Sequence, residues 1–315
     1  MTGKSALEIA KSYEELIGRF LRWAETRSDI RAAIVLGSGA RVDHTADEWS
    51  DLDIVFWTTD PEYYMSTSDW VNNFGTPLFT FIDTVLTGGD DKMRVVLYEE
   101  MLDIDLVPVT REDMQRTSEW IDQTIKADAD RKALAWIRNV YGRGIRVLLD
   151  KDGVTSTFCA VVASAEKPFP PRPTQDEFLE AVNDFFYHAV YAAKHLRRGE
   201  LYWTATHLDC RIQRSLLRMI EWHALAEHGW KHDVWFLGRF LEEWATPKAV
   251  EGLREAFARY DEEDAKRALL AAINLFQSLA LETATKLSYR YPTEIDSSVT
   301  KWIRTCVSDT SNRKQ

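Results

Sequence analysis

The sequence predicts an α/β (α+β) fold in which a sheet-containing N-terminal domain precedes an all-α helical bundle. Two observations predict it. Short apolar runs of strand length end by Val109, whereas from Thr174 onward apolar residues recur at helical spacing almost without interruption. Between these regions Pro168, Pro170, Pro171 and Pro173 crowd together, a stretch that continues neither a helix nor a central strand and reads as a linker. The predicted domains are residues 1–165 and 174–308, with an active site expected in the cleft between them.

Each element has its own justification. Leu7, Ile9, Leu16, Ile17, Phe20, Leu21 and Trp23 among charged residues predict a helix over 5–27. Residues 31–37 read as the first strand and 51–58 as the second. Pro61 after Asp60 suits a first helical turn and predicts a helix reaching about Gly75. Residues 78–82 and 94–98 read as strands, with Thr87-Gly88-Gly89-Asp90 as the loop between them, and 102–109 as the fifth strand. From 111 to 150 the pattern is helical and broken at Tyr141-Gly142-Arg143-Gly144. Helices are then expected over 174–198, 201–228, 234–244, 247–260 and 261–287, with a last one before the polar tail.

Composition narrows the class of function. With 39 Lys and Arg against 50 Asp and Glu, the net charge is −11, which disfavours nonspecific nucleic-acid binding and favours cationic ligands. Cys159, Cys210 and Cys306 have neither an even count nor metal-like spacing, which argues for a reducing, cytoplasmic setting. No signal-peptide pattern opens the chain, and no membrane association is expected.

The chemistry concentrates in two acidic strands. Ile34 to Leu36 is an apolar run ending at Gly37, so Gly37 and Ser38 are expected to form a turn that can hold a phosphate. In the next strand the two-residue period puts Asp51 and Asp53 on one face, with Leu52, Ile54 and Phe56 on the other. Asp-x-Asp alone also fits a solvated strand start. The fifth strand repeats the pattern with Asp103 and Asp105 on one face and Leu102, Ile104 and Leu106 on the other. Convergent carboxylates suit Mg²⁺ and phosphoryl transfer. In the helix from Thr174, Asp184, Tyr187, Tyr191 and Lys194 form a polar stripe. Lys194 would reach a triphosphate if that stripe faced the cleft.

These residues carry a resemblance. Gly37-Ser38, Asp51-Leu52-Asp53-Ile54-Val55-Phe56 and Leu102-Asp103-Ile104-Asp105-Leu106-Val107-Pro108 resemble the DNA polymerase β-like nucleotidyltransferase superfamily. Trp70 with Phe74-Gly75, residues 147–152, Asn183-Asp184-Phe185, residues 191–196, His207-Leu208, residues 216–219 with Trp222-His223, and residues 287–292 are similar to the aminoglycoside 6-adenylyltransferase (streptomycin adenylyltransferase) family.

The resemblance implies a nucleotidyltransferase mixed-sheet domain followed by a helical domain that binds substrate or nucleotide. It implies Mg²⁺-dependent transfer of AMP from ATP to a hydroxyl of an aminoglycoside such as streptomycin, inactivating the antibiotic. Asp51, Asp53 and Asp103 would be metal ligands, with Asp105 an extra carboxylate where the family tends to have Thr. Gly37 and Ser38 would position phosphates, Lys194 would neutralise the triphosphate, and Asp103 or Asp184 would polarise the acceptor hydroxyl. Three departures stand out. Gly39 follows Gly-Ser where the family usually has Arg, although Arg41 offers a nearby cation; the turn before Asp103 is about two residues shorter; and a Gly-Lys-Asn segment expected near Trp235-Phe236-Leu237 is missing, with Arg239 close by. Two alternatives stay open: another small-molecule or protein acceptor, or a nucleotide-binding protein without turnover.

Overall fold

The computed structural model describes residues 6–47, 49–84, 92–127, 131–164 and 172–308. The Thr87–Asp90 loop and the prolines 168, 170 and 171 lie outside these residues. The chain divides into two compact units, Met1–Pro168 and Phe169–Gln315.

Unit 1 is built on a six-stranded mixed sheet. Its strands are β1 (Ile30–Leu36), β2 (Leu52–Thr58), β3 (Pro77–Thr84), β4 (Lys92–Tyr98), β5 (Asp103–Val109) and β6 (Arg146–Asp150), in the spatial order β3-β4-β5-β2-β1-β6. Only β2 and β5 run parallel; the other neighbours are antiparallel. The helices of this unit are α1 (Ala6–Thr26), α2 (Pro61–Ser66), α3 (Arg111–Ala127), α4 (Arg131–Val140) and α5 (Thr155–Ser164).

Alternation along the strands sorts side chains to two cores. On one face Leu52, Ile54, Phe56, Ile104 and Leu106 pack with Leu16, Ile17 and Phe20 of α1 and with Tyr64, Trp70 and Phe74. On the other face Ala32, Ile34, Val55 and Trp57 pack with Met114 and Ile121 of α3, Ile137 of α4, and Phe158 and Val162 of α5. The second layer rests on β1 and β2, with Val107 and Val109 of β5 at its margin.

Several elements differ from expectation. The helix expected over 60–75 stops at Ser66, because Thr67 turns extended and its hydroxyl and N–H both bond to the Tyr63 carbonyl; a 3-10 turn follows over Asp69–Asn73. Residues 146–150, expected to end a helical stretch, form β6 against β1, where Ala32 pairs with Asp150. Being half-exposed and only five residues long, β6 carries little periodic signal.

Unit 2 is helical: α6 (Gln175–Arg197), α7 (Leu201–His207), α8 (Gln213–Glu227), α9 (Leu241–Trp244), α10 (Pro247–Ala256), α11 (Glu262–Leu287) and α12 (Thr293–Ser308). Thr174 and Glu177 form a reciprocal capping box that starts α6. A π-helical turn, Leu208–Ile212, joins α7 to α8 within the single helix expected there. The helix expected over 234–244 is reduced to α9 and a 3-10 turn, because Leu237 and Phe240 take positive φ and interrupt the ladder while Trp235 and Trp244 stay buried. Helix α11 is long and apolar enough to cross a membrane by composition, yet Leu269, Ile273, Phe276 and Leu279 lie in the core of unit 2.

Candidate active site

The parallel pairing of β2 with β5 aligns the acidic strands. Asp53 stands opposite Asp105, and Leu52 opposite Ile104, so the carboxylates leave the same face of the sheet at the same end of the two strands. On the other side of β2, Asp53 pairs with Leu36, the last residue of β1. The chain turns there at Gly37, whose φ of +63° belongs to the left-handed region. A Cβ placed on Gly37 would stand 2.3 Å from Asp53 Oδ2. Glycine is therefore required twice at this position, once for the backbone and once for the carboxylate over it.

Ser38 is buried and its hydroxyl donates to the Asp51 carbonyl at 3.3 Å, closing the intervening loop onto the start of β2. Gripping a phosphate with this hydroxyl requires that bond to be exchanged. Arg41 also serves the loop, its Nε donating to the His44 carbonyl. Gly39 has no room for a side chain in this backbone, since a Cβ there would meet Val35 Cγ1 at 2.8 Å.

The aspartates share one field. Burial pushes the Asp105 carboxyl up to about 6, with the negative charges of Asp51, Asp103 and Asp83 adding to the shift. Hard oxygen donors gathered in a common negative potential suit a divalent cation such as Mg²⁺, which substrate phosphates and water would complete. Among the described residues, the group of three donors whose atoms lie within 4.8 Å of one another is elsewhere, at His223, Glu227 and Glu282 of unit 2. There Lys248 pairs with Glu282 and Lys286 with Glu227 at 3.1 Å, so ammonium groups already balance those carboxylates.

A streptomycin adenylyltransferase family model matches residues 10–306. The chain belongs to the streptomycin adenylyltransferase family. It is an enzyme, a nucleotidyltransferase. Named relatives align over nearly their whole length. Aminoglycoside 6-adenylyltransferase of Bacillus subtilis (strain 168) is 25% identical over 299 residues, 93% of this chain and 96% of that one. The Campylobacter jejuni enzyme of the same name is 23% identical, covering 90% and 91%. A crystal structure of an aminoglycoside 6-adenyltransferase from Bacillus subtilis aligns with a TM-score of 0.43 at 20% identity, covering 93% of this chain and 98% of that one.

Tyr13 of α1 escapes the sequence reading of this candidate site. Its hydroxyl donates to Asp103 Oδ1 at 2.9 Å. Burial and then the Asp103 charge hold the phenol well above its ordinary pKa, so it stays a donor. The signal was present in part: Tyr13 shares the helical stripe of Leu16, Ile17 and Phe20, and a tyrosine on a buried stripe needs a partner for its hydroxyl. Tyr13→Phe is expected to lower kcat/KM about tenfold, the scale of one hydrogen bond to a charged group, with little change in circular dichroism. Steady-state kinetics check it.

In unit 2, Asp184 and Lys194 lie on α6, as the periodicity expects. Asp184 accepts from Ser215 Oγ at 3.2 Å and faces His188 Nε2 at 3.4 Å and Arg211 Nη2 at 3.6 Å. The Lys194 side chain is exposed, with its ammonium 5.9 Å from the Trp302 ring. Beside Asp184, the His207 ring stacks on Trp203 at 4.5 Å and lies 5.0 Å from His188. Burial, then the charges of His188 and Arg211, push His207 down to about 4.

The folded state thus holds His207 neutral while the unfolded chain takes up its proton below about 6.5. The stability this arrangement confers is complete above 6.5 and is lost as pH falls toward 4, by up to about 3 kcal/mol. The raised Asp105 carboxyl gains stability as pH falls through the same window, so the loss is read as a difference: the urea-unfolding free energy of the protein minus that of His207→Gln should fall, by up to about 3 kcal/mol, as pH is lowered from 6.5 toward 4.

Proposed function

We propose that this protein transfers AMP from ATP to a hydroxyl of an aminoglycoside such as streptomycin, with release of pyrophosphate, in a Mg²⁺-dependent reaction. The observation that carries the reading is the aligned pair of acidic strands, Asp53 beside Asp105, with Gly37 turning beneath Asp53. The names of the relatives support an aminoglycoside as the acceptor, and the negative net charge suits a polycation.

Asp51, Asp53 and Asp103, with Asp105, are the residues that would hold the metal. When bound, Mg²⁺ supplies positive charge against the triphosphate and the developing transition-state charge. The remaining work falls to the chain. The backbone N–H groups of the Gly37-Ser38 turn are assigned to a phosphate, and Lys194 to charge neutralisation on the triphosphate. Tyr13 keeps Asp103 in one orientation. A new bond forms between the acceptor oxygen and the α-phosphorus as the bond to the β-phosphate breaks. The acceptor proton passes to a carboxylate, Asp103 or Asp184. Catalysis is mainly positioning and electrostatics. The three free cysteines fit a reducing cytoplasm.

Pyrophosphate release from ATP should begin on addition of streptomycin and stop on chelation of Mg²⁺ by EDTA. ATP turnover that ignores every aminoglycoside in a panel would sink the reading.

A further inference from the structure

The acid-bearing face of the sheet does not end at β5. Strand register carries it outward in rows: Asp53 pairs with Asp105, Asp105 with Val95, and Val95 with Phe81. In the adjacent row Asp103 pairs with Leu97, and Leu97 with Phe79. Register partners point to the same side of a sheet, so Phe79, Phe81 and, two residues on, Asp83 stand on the face of the catalytic carboxylates.

This part of the face is open. The helices α3, α4 and α5 pack over β1 and β2, whereas on the edge strand β3 Phe79 is 53% exposed and Phe81 46% exposed. Their rings lie 6.2 Å apart in a tilted arrangement. Exposed aromatic pairs on an edge strand are an aggregation liability, and such patches commonly mark a binding surface. The two rows hold three carboxylates, Asp53, Asp103 and Asp105, and no basic residue, and Asp83, which pairs with Met93, adds a fourth on the same face.

We propose that the β3–β4–β5 part of this face is the acceptor-binding surface, with Phe79 and Phe81 beneath a sugar or aminocyclitol ring and Asp83 facing its cationic groups. The inference rests on the aminoglycoside reading and names its site. Aromatic faces attract cationic groups and cover the C–H faces of rings. Three strand spacings separate Asp53 from Phe81, roughly 14 Å, so an acceptor of several rings can lie on the phenylalanines and extend a hydroxyl to the carboxylates. Specificity for polycations follows from the absence of basic side chains along the rows.

Calorimetric titration of streptomycin into the protein without ATP tests the surface apart from the reaction. Phe81→Thr, which keeps a strand-forming residue at an exposed position, should weaken streptomycin binding about three- to tenfold. Phe81→Tyr should restore it. Asp83→Asn should weaken binding about two- to fivefold at low salt and less at high salt. The KM for streptomycin should rise in parallel, with that for ATP unchanged. Unaltered streptomycin affinity in Phe81→Thr and Asp83→Asn would overturn the proposal, as would wild-type protein that does not bind streptomycin. A rise in the ATP KM in place of the streptomycin KM would assign the phenylalanines to the adenine base and overturn it equally. Streptomycin that binds by way of Phe81 and Asp83 without receiving AMP would instead refute the transfer reading alone.

Discussion

Asp53→Asn is expected to leave a folded protein that no longer transfers AMP. The carboxylate lies directly over Gly37 and opposite Asp105, whose own carboxyl is lifted to about 6 by burial and by the charges of Asp51, Asp103 and Asp83. Asparagine keeps the size and shape of the side chain, so the thermal midpoint of the metal-free protein should change little. Under turnover conditions the same change removes a charged oxygen proposed to hold Mg²⁺. Several kcal/mol of lost charge stabilisation correspond to a fall in kcat of roughly three orders of magnitude. Thermal unfolding and steady-state kinetics, each with and without Mg²⁺, check both halves. Retained activity would take Asp53 out of the metal site.

Gly37→Ala should act on fold and activity together. Alanine at φ +63° costs about 1–2 kcal/mol through the left-handed backbone alone. Its methyl group would also stand 2.3 Å from Asp53 Oδ2, so the Asp53 carboxylate must swing away or the turn must open. Either response moves the candidate metal ligand or the backbone proposed to receive a phosphate. Activity is therefore expected to fall at least a hundredfold, well beyond what a loss of about 2 kcal/mol in stability removes from a protein of ordinary stability. Denaturant unfolding and kcat/KM measured on the same preparation separate the two effects. Gly39 contrasts with it: a side chain there meets Val35 Cγ1 at 2.8 Å, a packing conflict on the opposite side of the turn.

Much of this was legible in the sequence because the relevant periods are short. A two-residue alternation put Asp51 with Asp53 and Asp103 with Asp105, and the structure places β2 and β5 side by side in parallel with Asp53 opposite Asp105. Helical periodicity found α1 and α6, including the Thr174 start of α6. Strand order is a long-range property, and no local pattern states that β3 lies outside β4 and β5. For that reason Phe79, Phe81 and Asp83 could not be joined to the acidic face from sequence. Tyr13 posed the same difficulty, since its buried stripe was readable and its partner Asp103, ninety residues away, was not. Around Trp235 and Trp244 the apolar residues continue the helical pattern read from Thr174 onward, while positive φ at Leu237 and Phe240 breaks the chain into short turns.

The most direct test of the account is the mass of the acceptor. Streptomycin incubated with the protein, ATP and Mg²⁺ should gain one AMP, and the Asp53→Asn protein should leave it unchanged. Unmodified streptomycin and unmodified companions across an aminoglycoside panel, from a folded protein that binds ATP, would contradict the account.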